Sequence, residues 1–436
     1  MNFSIDHNLC VNALYDLHIV RCGLLMAGHK EVESDSNADV LIYGGCGVRG
    51  VWIEEAISRI QGARRRSPGL GVIVTSCGSR IDPQRFLDSI GGISPRILSH
   101  SAILSRFTTY SFSDVEAQVG LVEPSQFPLR TSERDSFHDG KADVVEAFRG
   151  LDPQSASELE KRYVRMTKGF LFYRDQERAA FIAVSRGCPF RCSFCAIPKG
   201  RGAHRCVPLD IVSQRFREIG GEPCDRVYLL GEDTGSYVCP VTGARFRELI
   251  STAIQSQVRA IGLRYIEPMS FLRHYETIFD ACRRGRVCLI YLPIQSGSPR
   301  VLELMNRATC VERLAEGIER IRNYSQVVFY TNWMVGFPTE EQEDFEQTLQ
   351  LATRLRLDVN VVIPYSDRPG TRASKLQPKV AVDLKRARAE RLRLEVAKFK
   401  ASELLDTEDD VPPEIRDALV RRIVEAETKA SDDLFD

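Results

Sequence analysis

The sequence predicts an α/β protein: a small parallel-sheet domain at the N-terminus, a partial (β/α)6 barrel after it, and a helical C-terminal tail. Three observations carry that expectation. Short apolar runs alternate with helix-like stretches through the first hundred residues, then break off near residue 120. They resume near 180 at spacings of 25 to 45 residues, enough for the dozen or more residues that a parallel crossover needs. No strand pattern follows residue 380.

In order, the runs 2–7 (NFSIDH), 38–43 (ADVLIY) and 70–75 (LGVIVT) read as strands of the first sheet. Residues 120 to 165 are polar, with few bulky apolar side chains before a helix-like end, and read as a linker or insertion. Six barrel strands are expected at 181–185, 226–231, 261–267, 287–293, 327–334 and 359–364, with helical segments such as 301–306 and 341–355 between them. Residues 381–400 carry seven basic side chains, whereas 401–436 carry 12 acidic and 4 basic ones. A basic stretch of this kind reads either as a solvated helix face or as an RNA or peptide contact. The domain expectation is therefore 1–119, 120–175 (linker or insertion), 176–380 and 381–436.

The 436 residues balance 59 Lys and Arg against 59 Asp and Glu, and are 43% hydrophobic and 27% charged. That composition excludes wholesale disorder, and the length suits two or three domains. No apolar run approaches membrane-spanning length, and the first residues, MNFSIDHNLC, lack a signal-peptide pattern. A cytoplasmic protein with no membrane partner is expected. Zero net charge leaves no global footprint of nucleic-acid binding.

Thirteen cysteines are the unusual feature. Their odd number and the reducing compartment favour metal-binding thiolates over disulfides. Cys188, Cys192 and Cys195 form a CxxxCxxC triplet directly after the first barrel strand. Three thiolates on one loop suit a 4Fe–4S cluster with one iron left open for a small chelating molecule. Zinc is the alternative; it wants a fourth ligand, for which His204 and Cys206 are the candidates. Cys10, Cys46 and Cys77 each follow one N-terminal strand, with 35 and 30 residues between them. In a parallel sheet those strand ends lie side by side, so the three thiols either converge on a second cluster or are ordinary core cysteines. The other cysteines lack ligand spacing, as do the seven histidines.

The CxxxCxxC triplet, with Phe194 before its last cysteine, resembles the radical S-adenosylmethionine (SAM) superfamily. From about residue 5 to 400 the chain resembles the radical SAM methylthiotransferases. Cys10 with Tyr15 and Asp16, Cys46-Gly-Val48-Arg49, and Thr75-Ser-Cys77 are similar to that family's three N-terminal motifs. Pro198, Arg201 and Gly202 match its CxxPxxRG continuation. Leu292-Pro293-Ile-Gln295-Ser296-Gly297-Ser298, Val335-Gly336-Phe337-Pro338 and Tyr365-Ser366-Asp-Arg368-Pro-Gly370-Thr371 match further blocks in the right order.

The resemblance implies two 4Fe–4S clusters and SAM. The cluster on Cys188, Cys192 and Cys195 generates a 5′-deoxyadenosyl radical, and the one on Cys10, Cys46 and Cys77 delivers a methylthio group. Glu232, at the end of the second barrel strand, is a candidate partner for the SAM amino group, with helix capping by Asp233 or Thr234 as the competing reading. Gln295 and Ser296 are candidate SAM contacts, with loop capping as the alternative, and Arg201 joins them as a cofactor-binding candidate. No residue is assigned as catalytic. The implied electron donor is a flavodoxin or ferredoxin.

Departures from the family pattern bear on the substrate. Ala13 stands where an asparagine is usual, Cys206-Val207-Pro208 replaces Ser-Arg-Pro, Asn332 replaces an aspartate, and Thr339 replaces a glycine. The acidic helical tail stands where the family carries a small RNA-binding β-barrel. The expected reaction converts an unactivated C–H into C–SCH3 on an adenosine of tRNA next to the anticodon. The alternatives are the same chemistry on a protein or peptide side chain or a small metabolite, and a non-catalytic iron–sulfur protein.

Overall fold

The computed structural model describes residues 1–90, 96–120, 122–123, 126–127, 153–165, 179–219, 226–405 and 413–429. Most of the expected linker, Cys224 and the end of the acidic tail lie outside the described residues. The chain forms two compact units. One comprises residues 1–130, 178–259 and 366–374; the other comprises 131–177, 260–365 and 375–436.

In the first unit a five-stranded parallel sheet holds β1 (Asn2–His7), β2 (Lys30–Glu31), β3 (Val40–Gly44), β4 (Gly71–Thr75) and β5 (Arg96–Ile97). Its spatial order is β2-β1-β3-β4-β5. The three predicted strands are its centre. The two edge strands have two residues each, too short to leave a sequence pattern. Helices α1 (Val11–Met26), α2 (Gly50–Arg66) and α3 (Ser76–Ile81) follow β1, β3 and β4. On α2, Ile53, Ala56, Ile57 and Ile60 recur at helical spacing and pack against Tyr43, Val72 and Val74 of the sheet face and Phe86 of the short helix Pro83–Ser89. Because the chain leaves β1 first to one side (β2) and then to the other (β3), the loops after β1 and β3 diverge and open a crevice at the carboxyl edge.

The same unit holds β6 (Ala179–Ala183), the two-residue antiparallel pair β7 (Ser185–Arg186) and β8 (Arg205–Cys206), and β9 (Arg226–Leu230), which pairs parallel with β6. In the second unit β10 (Ala260–Leu263), β11 (Val287–Tyr291), β12 (Val328–Val335) and β13 (Val359–Pro364) run parallel in that order. Helices such as Val311–Tyr324 and Gln342–Leu355 separate them. All six expected barrel strands are present. β10 stops four residues short of its predicted end, because Tyr265 adopts a left-handed backbone (φ 56°) that ends the ladder.

The basic stretch lies in the helix Val382–Leu405. Its Arg388 is buried and paired with Glu340 at 2.8 Å, Arg391 meets Glu346, and Arg393 and Lys400 are buried. Three of the seven basic side chains are thus buried inside the unit. The helix's last turns join Leu159, Tyr163, Leu419 and Ile423 in a separate apolar cluster.

Candidate active site

β1, β3 and β4 run in register, His7 opposite Gly44 and Gly44 opposite Thr75, so they end on one edge. Cys10, Cys46 and Cys77 lie within three residues of those ends. Their separations in sequence collapse to neighbouring positions. Burial pushes the Cys77 thiol well above its usual range, and the adjacent Cys10 and Cys46 push it further. Cys10 is exposed and forms the N-cap of α1; Cys46 and Cys77 are buried.

Backbone packing fixes this edge. Asn8 accepts from the Cys46 N–H at 2.7 Å and donates to the Trp52 carbonyl at 2.6 Å. Gly78 N–H donates to Gly45 O at 2.8 Å, and a Cβ on Gly78 would meet the Cys46 and Gly45 carbonyl oxygens at 3.0 Å. Asn8 had no sequence signal; only its place one strand away from Cys46 reveals it.

The second triplet sits on the loop between β7 and β8. Gly187 (φ 73°) closes that loop: a Cβ there would lie 2.7 Å from both the Gly202 and Ala203 carbonyl oxygens. Cys195 N–H donates to Cys192 O at 3.1 Å, and Ile197 N–H donates to Cys195 Sγ at 3.4 Å. Burial raises the Cys188 thiol, and Asp233, Cys192 and Cys195 add to the rise. Ala373 N–H and the Arg372 guanidinium brace the loop from the 366–374 segment, donating to Ser193 O and Arg191 O. Cys206 turns elsewhere: its sulfur is 3.7 Å from His204 Nε2, accepts from Val238 N–H and neighbours Cys239. Among the described residues no three His, Cys, Asp or Glu side chains gather as tightly as a single metal ion requires.

The helix Ile197–Arg201 brings the two triplets together. A Cβ on Gly200 would lie 3.2 Å from Cys77 Cβ, and Lys199 Nζ donates to Ile81 O at 2.6 Å. Arg201 is buried and donates to Asp16 Oδ2 and Glu232 Oε1, both at 2.7 Å. Arg186 donates to Asp16 Oδ1 at 2.7 Å and pairs with Glu116. Burial alone would raise the Asp16 carboxyl, but Arg186 and Arg201 outweigh it and hold it well below the usual carboxylate range. Asn12 donates to Gly231 O at 2.9 Å. Residues 12, 16, 116, 186, 201, 231 and 232 thus form one polar seam. This explains why the N-terminal sheet and the β6–β9 segment share a compact unit.

Each expected cofactor contact has a definite setting. Glu232 is engaged at both oxygens, by Arg201 and by the Gly187 N–H at 2.6 Å. Asp233 takes the Ser236 hydroxyl rather than a backbone cap. In the second unit, Ser296 Oγ is 3.1 Å from Thr348 Oγ1 and accepts from Ser298 N–H, the loop-capping arrangement. Gln295 has a left-handed backbone (φ 75°), and its buried Oε1 has no hydrogen-bond partner among the described residues.

Two family models match the chain: Uncharacterized protein family UPF0004 over residues 3–94 and the Radical SAM superfamily over 182–352. A tRNA-2-methylthio-N(6)-dimethylallyladenosine synthase of Chlorobium phaeobacteroides (strain DSM 266 / SMG 266 / 2430) is 26% identical, over 96% of this chain and 85% of that protein. The threonylcarbamoyladenosine tRNA methylthiotransferase MtaB of Aquifex aeolicus (strain VF5) is 25% identical, over 87% of this chain and 84% of that protein. Among solved structures, the radical S-adenosylmethionine methyltransferase TsrM of Kitasatospora setae shares the fold (TM-score 0.53, 12% identity, 86% of this chain and 74% of that one). Among the described residues no helix is long and apolar enough to cross a membrane. Superfamily membership implies SAM and one 4Fe–4S cluster. With both family models in order along the chain and relatives aligned over most of their length, the chain is a transferase of the radical SAM methylthiotransferase family.

Proposed function

We propose that this enzyme holds two 4Fe–4S clusters, on Cys188, Cys192 and Cys195 and on Cys10, Cys46 and Cys77, and methylthiolates an adenosine of tRNA next to the anticodon. The observation that carries the reading is the seating of the Ile197–Arg201 helix, which leaves the radical triplet and touches Cys77 of the other. The residues present suit a bound anionic cluster at the sheet edge. Arg49, at the N-terminus of α2, is 7% exposed, and its buried Nη1 has no hydrogen-bond partner among the described residues. A buried guanidinium calls for a counter-charge, and an iron–sulfur cluster on three thiolates supplies one.

When bound, the cluster on the loop and SAM supply a 5′-deoxyadenosyl radical, which suits a C–H bond too weakly acidic for a general base. The chain's own residues do the rest. The seam Asp16–Arg201–Glu232 fixes the loop against the sheet edge, the exposed Cys10 leaves that edge accessible, and Gly187 closes the loop. Gln295 and Ser296 would be candidates to hold SAM, and a flavodoxin or ferredoxin would supply the electron. The tRNA substrate follows the names of the relatives.

A second reading, the same chemistry on a peptide or small metabolite, draws on the zero net charge and the burial of Arg388, Arg393 and Lys400 in the basic helix, since tRNA affinity rests heavily on phosphate neutralisation. Mass spectrometry of bulk tRNA nucleosides from cells with and without the gene decides between them. Loss of a methylthioadenosine upholds tRNA; unchanged nucleosides alongside a peptide or metabolite that loses a methylthio group uphold the other.

A further inference from the structure

The interior face of β10–β13 carries a wall of three tyrosines. Along β12, Phe329, Thr331, Trp333 and Val335 are fully buried, whereas Asn332 on the alternate face is partly exposed. Tyr330 shares that open face and pairs in register with Tyr291 of β11. Their ring centroids lie 3.9 Å apart with the planes tilted by 38°, and Tyr265 packs on Tyr291 at 4.1 Å and 30°. Tyr291 OH donates to Asn332 Oδ1 at 2.9 Å, which leaves the amide Nδ2 with no acceptor among the described residues. Tyr265, the half-buried end ring, is held at φ 56°, a conformation rare and costly for an aromatic residue; the Arg264 guanidinium stands 5.8 Å from its centroid.

From the juxtaposition of half-buried Tyr265, packed on the buried Tyr291, with the Asn332 amide that Tyr291 holds, we infer that Tyr265 is the platform on which the planar nitrogen heterocycle of the substrate, a nucleobase, stacks. An aromatic face gives sequence-tolerant attraction to a base, and an amide beside it reads the donors and acceptors on the base edge. An aliphatic side chain gains neither. The strained backbone at Tyr265 presents the ring at the end of β10, where parallel strands of barrels display their ligands. The inference rests on the nucleobase part of the proposed function, and not on tRNA as its carrier.

SAM also carries an adenine, so the test separates the two sources. The anaerobically reconstituted enzyme, saturated with S-adenosylhomocysteine, is titrated calorimetrically with adenosine; S-adenosylhomocysteine is titrated separately. Tyr265→Ala is expected to weaken adenosine binding about tenfold or more, with Tyr265→Phe near wild type and S-adenosylhomocysteine unaffected. Unchanged melting curves establish that the variants fold, and Tyr330→Leu, which removes the far ring, provides a second probe of the stack. Adenosine affinity equal in wild type and Tyr265→Ala, no adenosine binding at all, or a loss confined to S-adenosylhomocysteine would each overturn the inference. If tRNA nucleosides prove unmodified while the Tyr265 dependence holds, the tRNA reading fails and the platform stands. If tRNA is modified and the dependence is missing, only the platform fails.

Discussion

The two cysteine triplets solve one problem by opposite means. Cys188, Cys192 and Cys195 span eight residues, and their geometry is built by a single loop that Gly187 closes. Cys10, Cys46 and Cys77 span 68 residues, and only three parallel strands ending in register bring them together. The first arrangement tolerates changes elsewhere in the domain. The second is as fragile as the sheet edge that assembles it. The comparison teaches that a ligand set can be encoded by spacing or by topology, and that the seam through Arg201 makes the two depend on each other.

The strongest way to break the comparison is to remove a ligand from each side. Reconstitution should give about eight irons per chain, as two 4Fe–4S clusters require. Cys192→Ala should lose about half of that iron and abolish SAM cleavage. Cys46→Ala should lose about half as well, yet still cleave SAM to 5′-deoxyadenosine while making no methylthio product. Iron near four in the wild type, unaltered by Cys46→Ala, would remove the second cluster from the account.

Next in size is the seam. Arg201→Met takes a buried guanidinium from both Asp16, left with Arg186, and Glu232, left with the Gly187 N–H, and should cost about 3–5 kcal/mol in urea unfolding. Arg201→Lys keeps the charge but not the fork that reaches both partners, so it should fall between Met and wild type. Both should lower iron on the sheet-edge triplet more than on the loop, which needs only local backbone. Equal loss from both sites would show that the seam carries no bias between them.

The loop triplet, its strand context and the six barrel strands were legible because the signal for each lies within a few residues. The sheet-edge triplet was legible only by assuming parallel strands, which the registers of β1, β3 and β4 bear out. The Arg201–Asp16–Glu232 seam was not, because an ion pair across 185 positions leaves no local pattern. Glu232 read from sequence as a bare carboxylate for SAM; in the fold, Arg201 and the Gly187 N–H occupy both its oxygens. Asn8 and the tyrosine wall escaped for the same reason: each acquires meaning from the strand beside it.

Acid should expose the same dependence. His18, on α1 behind Cys10, is pushed down to about 4 by burial and by Arg21, from an ordinary 6.5. The folded state therefore favours the neutral ring, and the unfolded chain takes up the proton first. Stability from His18 is complete above pH 6.5 and is lost as pH falls from 6.5 toward 4, on the order of 3 kcal/mol at most. His18→Gln should flatten that part of the unfolding profile. A profile equally steep without His18 would assign the acid sensitivity to other groups.

The smallest change tests the topology most directly. Gly78 packs its Cα edge onto the backbone of the Cys46 loop, where a methyl group would press on two carbonyl oxygens at 3.0 Å. Those oxygens belong to backbone and cannot swing aside as a side-chain tip would, so Gly78→Ala must displace either the β3 loop or the start of α3. Its cost should be about 1–3 kcal/mol, the usual range for overpacking. The consequence for the ligands is more telling than the cost, because Cys46 and Cys77 move apart while Cys188, Cys192 and Cys195 stay on their own loop. Iron per chain should drop toward four, with SAM cleavage retained, reproducing in part the signature of Cys46→Ala without touching a thiol. Were Gly78→Ala to lose both activities together, the two triplets would have to be held by one rigid body rather than by separate loop and sheet.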